Sequence, residues 1–291
     1  MSNKCFVLAI LFILLMTITS VIKSNEKNHF KENQVYKLNP SFEKVLQVNK
    51  ISYELNDKIS MRILSEYGAM FTAQAGTVVP PYIIFPDETS VSKWQGIVKS
   101  EQKRMVGVLV VLQAPAMKAL IAAQTEANQH KLSIAPNGTT ASTRSYADTA
   151  KLWQSRVEPG LSFHLRQKHI TAIEAEAIRK LSPSEQIPEI LKLEAKGYFF
   201  SKSLDKSILY SVAAVGTSQH ISMLALDVAE HSNANVRGLL ARYGWFQTVV
   251  SDEPHFTYLG VTEDKLPSLG LKKVTSGGRI YWLPDIEAIN K

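Results

Sequence analysis

The chain has a single cysteine, Cys5, which lies inside the apolar run near the start of the sequence. Whatever follows that run therefore contains neither disulfide bonds nor thiolate metal ligands. With 291 residues, of which 45% are hydrophobic, the chain is long enough for one or two globular domains. Any metal ion in them must be bound through His, Asp or Glu.

The first 24 residues have the layout of a signal peptide. Lys4 precedes twelve apolar residues, 5–16, and small and polar residues follow. A run of this length is typical of a cleaved signal peptide and is shorter than the ~20 residues that span a bilayer. Extension through residues 17–22 gives a marginal span, so a retained N-terminal anchor is the alternative. In either case the sequence predicts an exported protein of the periplasm or cell envelope, with membrane contact only through such an anchor.

The formal net charge is +7, and because Lys4 and Lys23 belong to the export segment, the remainder carries +5. No block of Lys and Arg, and no interleaving of basic and aromatic residues, marks a nucleic-acid-binding face. The excess charge indicates either solubility or a weak attraction to anionic envelope polymers. The sequence does not specify an oligomeric state.

The chain after the export segment is predicted to have two parts. Residues 25–100 are mixed in character and are interpreted as an N-terminal extension or linker. Residues 101–291 are predicted to form one domain that carries a helical insert at 168–206. The pair Gly277-Gly278 between two apolar runs indicates a C-terminal β-hairpin.

Hydrophobic periodicity and proline positions predict four elements in the first half of this domain. They are a strand at 106–112, a helix at 117–130, a short strand at 132–134 and a helix at 147–156 that ends before Pro159-Gly160.

Two histidines and an aspartate in the last third of the chain are candidate metal ligands: His220, Asp227 and His255. In residues 224–228, Leu and Val alternate with Ala225 and Asp227, so a strand here buries its large apolar side chains and directs Asp227 to the opposite face. A catalytic zinc ion takes three protein ligands and keeps a fourth position for water. These three residues could supply that ligand set.

The candidate ligands lie in segments that resemble the zinc D-alanyl-D-alanine carboxypeptidase family, which includes VanY-like enzymes and phage endolysin peptidases. The matching segments, in chain order, are Thr143-Arg144-Ser145-Tyr146, Ser218-x-His220, Ala225-x-Asp227-Val228, Tyr243-Gly244-Trp245 and Asp252-x-Pro254-His255-Phe256. The resemblance covers about residues 106–260. It implies an α+β fold with a small, mostly antiparallel sheet flanked by helices, as in the Hedgehog signalling domain.

The same resemblance implies that His220, Asp227 and His255 bind Zn²⁺. A nearby carboxylate would activate the metal-bound water for attack on a peptide carbonyl. Arg144 would stabilise the oxyanion or hold a substrate carboxylate. Ser218 and Tyr146, which belong to the matching segments, are further candidates for substrate binding.

Two arguments disagree about the catalytic carboxylate. The family has it three residues before the last histidine, which is Asp252 here. If the segment is an extended strand, however, Glu253 shares a face with His255, and Asp252 does not. Asp252 is favoured because Pro254 can break the alternation, and Glu253 is kept as the alternative.

The chain departs from the family at two positions that are not ligands. Met223 stands where the family commonly has glycine, three residues after the first histidine. Thr149 stands where a glutamine is often found. The bulkier Met223 could reshape the pocket or the turn.

The sequence therefore predicts a zinc metallopeptidase that hydrolyses peptidoglycan stem peptides, as a D,D-carboxypeptidase or as an endopeptidase. One alternative is a cell-wall-binding or structural module of the same fold without turnover. Another is a zinc hydrolase of a different amide.

Overall fold

The computed structural model describes residues 34–290 of the chain, so the predicted export segment lies outside the described residues. The helices of this part are α1 (Pro40–Val48), α2 (Lys58–Tyr67), α3 (Glu88–Ile97), α4 (Ala114–Gln129), α5 (Tyr146–Arg166), α6 (Ala172–Lys180), α7 (Gln186–Ala195) and α8 (Ala234–Arg242). Within residues 34–290, none of these helices is both long enough and apolar enough to cross a membrane.

The strands form four small sheets in which every pairing is antiparallel. They are β1 (Gln34–Leu38), β2 (Ser100–Met105), β3 (Val108–Gln113), β4 (Ala225–Asp227), β5 (Trp245–Gln247), β6 (His255–Tyr258), β7 (Leu271–Ser276), β8 (Arg279–Pro284) and β9 (Ile286–Asn290). The pairs are β1 with β9, β2 with β3 and β7 with β8, and a three-stranded sheet has the order β4-β6-β5. Helices and small antiparallel sheets together confirm the α+β class.

Residues 34–100 pack into the core instead of forming a linker. Strand β1 pairs with β9, close to the other end of the described chain. Phe42 and Met61, from α1 and α2, are fully buried in one hydrophobic cluster with Trp153 of α5 and Leu191 of α7. Burial of such large side chains is the main source of folding free energy. Residues 34–100 thus belong to the same compact unit as the rest of the described chain.

A second hydrophobic cluster supports the three-stranded sheet. Leu226 of β4, Phe256 of β6 and Trp245 of β5 pack there against Leu120 of α4 and Leu239 of α8. All five side chains are almost completely buried. This cluster fixes the positions of β4 and β6, the two strands that carry candidate metal ligands.

The prediction that a helix ends before Pro159-Gly160 is wrong, because α5 continues to Arg166. Pro159 offers no N–H to the carbonyl of Ser155, but the Arg156 guanidinium donates to that oxygen at 3.2 Å. Gly160 is required for packing, since a Cβ at this position would lie 2.3 Å from the ring of Phe200. Both residues that suggested a helix end are therefore accommodated inside the helix.

Two strand predictions also need correction. The strand predicted from residue 106 begins at Val108, because Val106 and Gly107 have φ angles of 48° and 81° and form the two-residue turn between β2 and β3. Residues 132–134 form no strand. The nearest pairing is a single bridge between Pro136 and Val228.

The elements expected later in the chain are present. Helices α6 and α7 lie within the predicted insert at 168–206. Strands β7 and β8 form a hairpin whose turn residues, Gly277 and Gly278, both have positive φ. This left-handed conformation is one that glycine adopts without steric cost.

Candidate metal centre

The sheet brings Asp227 and His255 together. Strands β4 and β6 are antiparallel, and their register places Asp227 directly opposite His255. Side chains that are directly opposite lie on the same face of a sheet. Leu226 points away from that face into the second hydrophobic cluster, as the alternation in the sequence predicts. His220 comes from the short 3₁₀ turn Gln219–Ser222 that precedes β4.

Three potential ligand atoms form a nearly equilateral triangle. His220 Nε2 and His255 Nδ1 are 3.1 Å apart, and each of them lies 3.3 Å from Asp227 Oδ1. Ligand atoms at ~2.0–2.1 Å from a tetrahedral zinc ion are about 3.3–3.4 Å from one another. The triangle therefore has the dimensions of one face of a zinc coordination tetrahedron, with the fourth corner left for solvent.

The outward nitrogen of each imidazole faces a hydrogen-bond acceptor. His220 Nδ1 lies 2.5 Å from the carbonyl oxygen of Ser142, and His255 Nε2 lies 2.8 Å from Gln219 Oε1. The amide orientation of Gln219 follows from its Nε2, which donates to the carbonyl of Tyr67 at 2.8 Å. When the outward nitrogens donate to these acceptors, the inward nitrogens carry the lone pairs that a metal ion binds.

The carboxylate completes a buried set of acceptors. Asp227 Oδ1 is buried and has no hydrogen-bond donor in the described residues. Burial raises the pKa of the Asp227 carboxyl, but positive charge beside it, on His220 or His255 in the metal-free protein, outweighs burial and lowers that pKa well below its usual range. A metal ion would supply the same positive charge. Burial lowers the pKa of the His220 imidazole, and Asp227 offsets this only in part.

Three lone-pair atoms that face one another repel unless a cation lies between them. The His–Asp–His set is also a group of side chains within the described residues whose geometry could hold a metal ion. Nitrogen and carboxylate ligands with one open position suit catalytic zinc. The residues present thus fit the metal that the sequence predicts.

A cavity of about 220 Å³ adjoins the triangle. Its lining includes His220 and His255, together with the predicted site residues Arg144, Ser218 and Asp252. Tyr146, also predicted to bind substrate, does not line this cavity and packs instead against hydrophobic clusters.

Arg144 lies at the metal end of the cavity. Its Nη2 is 3.4 Å from Asp227 Oδ2, an ion pair with a long hydrogen bond, and its Nε is buried without an acceptor in the described residues. The segment is fixed by Gln95 of α3, whose Nε2 donates to the carbonyls of Arg144 and Ile221, both at 3.0 Å. Arg144 therefore has donor capacity that the described residues leave unused.

The two candidate carboxylates face different surroundings. Strand β6 begins at His255, so the alternation that favoured Glu253 does not apply to residues 252–254. Glu253 Oε1 accepts from Arg279 at 2.8 Å, its side chain is 46% exposed, and it is not among the residues that line the cavity. Asp252 does line the cavity beside the two histidines.

The two departures from the family have structural explanations. Met223 has φ 55° and ψ 27°, the left-handed conformation that glycine adopts most easily. Its side chain is only 3% exposed and packs in a cluster with Phe85 and Trp94, which offsets the backbone cost. Thr149 lines the cavity, and its hydroxyl accepts from the N–H of Gly216 at 3.1 Å.

Sequence reasoning missed the groups that orient the imidazoles. The acceptor for His220 is a backbone carbonyl, which leaves no signal in a sequence. Gln219 is different, because it is a polar side chain that stands directly before a candidate ligand. A polar side chain at such a position must be hydrogen-bonded when it is buried. That expectation could have identified Gln219.

No protein-family model matches the chain, and no curated protein matches it. Two solved structures are similar in part. A mutant of the vancomycin-resistance D,D-pentapeptidase VanY from a VanB-type cassette, in complex with Zn(II), is 18% identical, with a TM-score of 0.32 over 57% of this chain and 82% of that chain. The LdcB LD-carboxypeptidase is 16% identical, with a TM-score of 0.32 over 59% of this chain and 70% of that chain. At this level of likeness, the function of the chain has to be inferred from its own site residues.

Proposed function

We propose that this protein is an exported zinc peptidase that hydrolyses stem peptides of peptidoglycan, as a D,D-carboxypeptidase or an endopeptidase. The observation that supports it best is the triangle of buried lone-pair atoms from His220, Asp227 and His255, with edges of 3.1–3.3 Å. The sequence segments shared with the zinc D-alanyl-D-alanine carboxypeptidases support the choice of substrate.

The ligand residues prepare the site before any substrate binds. A zinc ion held there supplies a Lewis acid for the carbonyl oxygen and a water of lowered pKa. Ser142 and Gln219 hold the imidazoles in the tautomer that binds metal. Because the outward N–H groups are fixed, the ring planes are fixed as well.

Asp252 is the proposed general base. It accepts a proton from the attacking water and then delivers that proton to the nitrogen of the leaving amine. Its place in the cavity lining supports this role over Glu253, whose carboxylate is engaged by Arg279. Arg144, which lines the cavity, donates to the carbonyl oxygen as negative charge develops there.

The test is mass spectrometry of purified muropeptides after incubation with the zinc-loaded protein. We expect loss of a terminal D-alanine, or cleavage of a cross-link, that chelator abolishes and that is absent in His220→Ala. Unchanged muropeptides with a zinc-loaded, folded wild type would favour the cell-wall-binding alternative. Cleavage of other amides, with muropeptides intact, would favour a different zinc hydrolase.

A further inference from the structure

One face of α5 forms a wall of the cavity. Thr149, Leu152 and Arg156 all line it, and their spacing of three and four residues places them on the same side of the helix. Arg144 precedes the helix and contacts Asp227, so the N-terminal end of α5 is the metal end of the cavity. At 1.5 Å per residue, Arg156 is ~10 Å further along the helix axis than Thr149.

Arg156 is held in place without a carboxylate partner. Its Nε donates to Ser211 Oγ at 2.8 Å, and its Nη1 donates to the carbonyl and hydroxyl oxygens of Ser155 at 3.2 and 3.0 Å. Across residues 34–290, no carboxylate forms an ion pair with Arg156. Its Nη2 has no hydrogen-bond partner in the same residues. The permanently charged Arg156 guanidinium is thus held in a fixed orientation at the cavity wall, and its Nη2 is available to donate hydrogen bonds to a ligand.

The charge of the cavity favours an anion. Its lining contains two guanidinium groups, Arg144 and Arg156, and one carboxylate, Asp252. Two separated cations can bind two different groups of one substrate. A planar guanidinium is especially suited to a carboxylate, because it donates two parallel hydrogen bonds.

We propose that Arg156 is a specificity-determining residue that binds the side-chain carboxylate of an acidic residue in the peptide substrate. An extended peptide advances ~3.3 Å per residue, so the ~10 Å along the helix from Thr149, toward the metal end, to Arg156 corresponds to about three residues. We therefore place the acidic residue third from the cleaved amide. The inference rests on the proposed function only for the position of the cleaved amide. It means that the preferred substrate carries an acidic side chain at a distance from the amide that is cleaved.

The test uses two acetylated tetrapeptides that end in D-Ala-D-Ala and differ at the third residue from the cleaved amide, which is glutamate in one and glutamine in the other. For the wild type we expect kcat/KM to be about 10- to 100-fold higher for the glutamate peptide, the effect of one charge-assisted interaction. The difference should appear mainly in KM, because Arg156 lies away from the reacting atoms. Arg156→Gln should lose this preference, so that its kcat/KM values for the two peptides become equal.

Arg166→Gln is the matched control, since this exposed arginine lies on the same helix but does not line the cavity. It should keep the wild-type preference. Arg156→Lys keeps the positive charge without the fork of donors, so it should retain only part of the preference for the glutamate peptide. It replaces Arg156→Gln in the test if that variant proves unstable.

Binding separates this inference from the proposed function. Calorimetry of both peptides with Asp252→Asn reports affinity without turnover, and the glutamate peptide should bind about 10-fold or more tightly. If no peptide or muropeptide is ever cleaved, the proposed function fails while this preference can still stand. The role of Arg156 is refuted if the two peptides bind with equal affinity. It is also refuted if neither peptide binds at millimolar concentration.

Discussion

Replacement of Gln219 by methionine tests whether the groups behind the imidazoles hold the metal ligands in place. The Gln219 side chain is 1% exposed, its Oε1 accepts from His255 and from two threonine hydroxyls, and its Nε2 donates to the carbonyl of Tyr67. Methionine has nearly the same length but makes none of these bonds. The two threonine hydroxyls can still bond to each other, since Thr248 and Thr257 are 2.7 Å apart.

The substitution leaves two buried donors without their acceptor, the His255 N–H and one of the two threonine hydroxyls. At ~1–3 kcal/mol for each, the free energy of unfolding should fall by about 2–6 kcal/mol. Because His255 also loses the acceptor that sets its tautomer, zinc affinity should fall by about 10- to 100-fold. Zinc affinity is measured by competition with a chromophoric chelator, and the free energy of unfolding by urea denaturation of the metal-free protein.

Gln186→Met is the matched control. Gln186 is 2% exposed and hydrogen-bonds to Trp153 and to the carbonyl of Ile178, away from the metal ligands. This variant should lose stability while keeping the wild-type zinc affinity. Wild-type zinc affinity in Gln219→Met would refute the argument that this side chain orients the ligand.

Three further outcomes are expected. Asp252→Asn should lower kcat by about 10²–10⁴-fold with zinc retained, whereas Glu253→Gln should change it little; equal losses in the two variants would contradict the assignment of the base. Met223→Gly should lower the free energy of unfolding in urea by about 1–3 kcal/mol, because the lost burial outweighs the relieved left-handed backbone; a more stable variant would contradict this. Burial lowers the pKa of His164, so the unfolded state takes up its proton first. Stability should therefore fall as pH drops below about 6.5, by at most ~1.4 kcal/mol per pH unit, and this fall should be smaller in His164→Gln.

The candidate ligands could be proposed from sequence because they lie in short segments that resemble the zinc D-alanyl-D-alanine carboxypeptidases, and the orientation of Asp227 follows from a short-range pattern. The alternation of residues 224–228 placed Asp227 on the face opposite the buried leucines, and the structure has it there. The hairpin around Gly277-Gly278 likewise follows from a local turn signal.

Other features depend on contacts between distant residues, which no local pattern contains. Gly160 looked like a helix end, but its role is set by Phe200, forty positions further along the chain. The pairing of β1 with β9 joins residues at opposite ends of the described chain. The separate surroundings of Asp252 and Glu253 depend on Arg279 of the C-terminal hairpin.

The most direct test of the metal centre is a crystal structure of the zinc-soaked protein with diffraction data collected at the zinc absorption edge. We expect one strong anomalous peak at ~2.0–2.2 Å from His220 Nε2, His255 Nδ1 and a carboxylate oxygen of Asp227, with a solvent or substrate atom as the fourth ligand. No peak between these three side chains, with zinc bound only elsewhere on the protein or not at all, would refute the proposed metal centre.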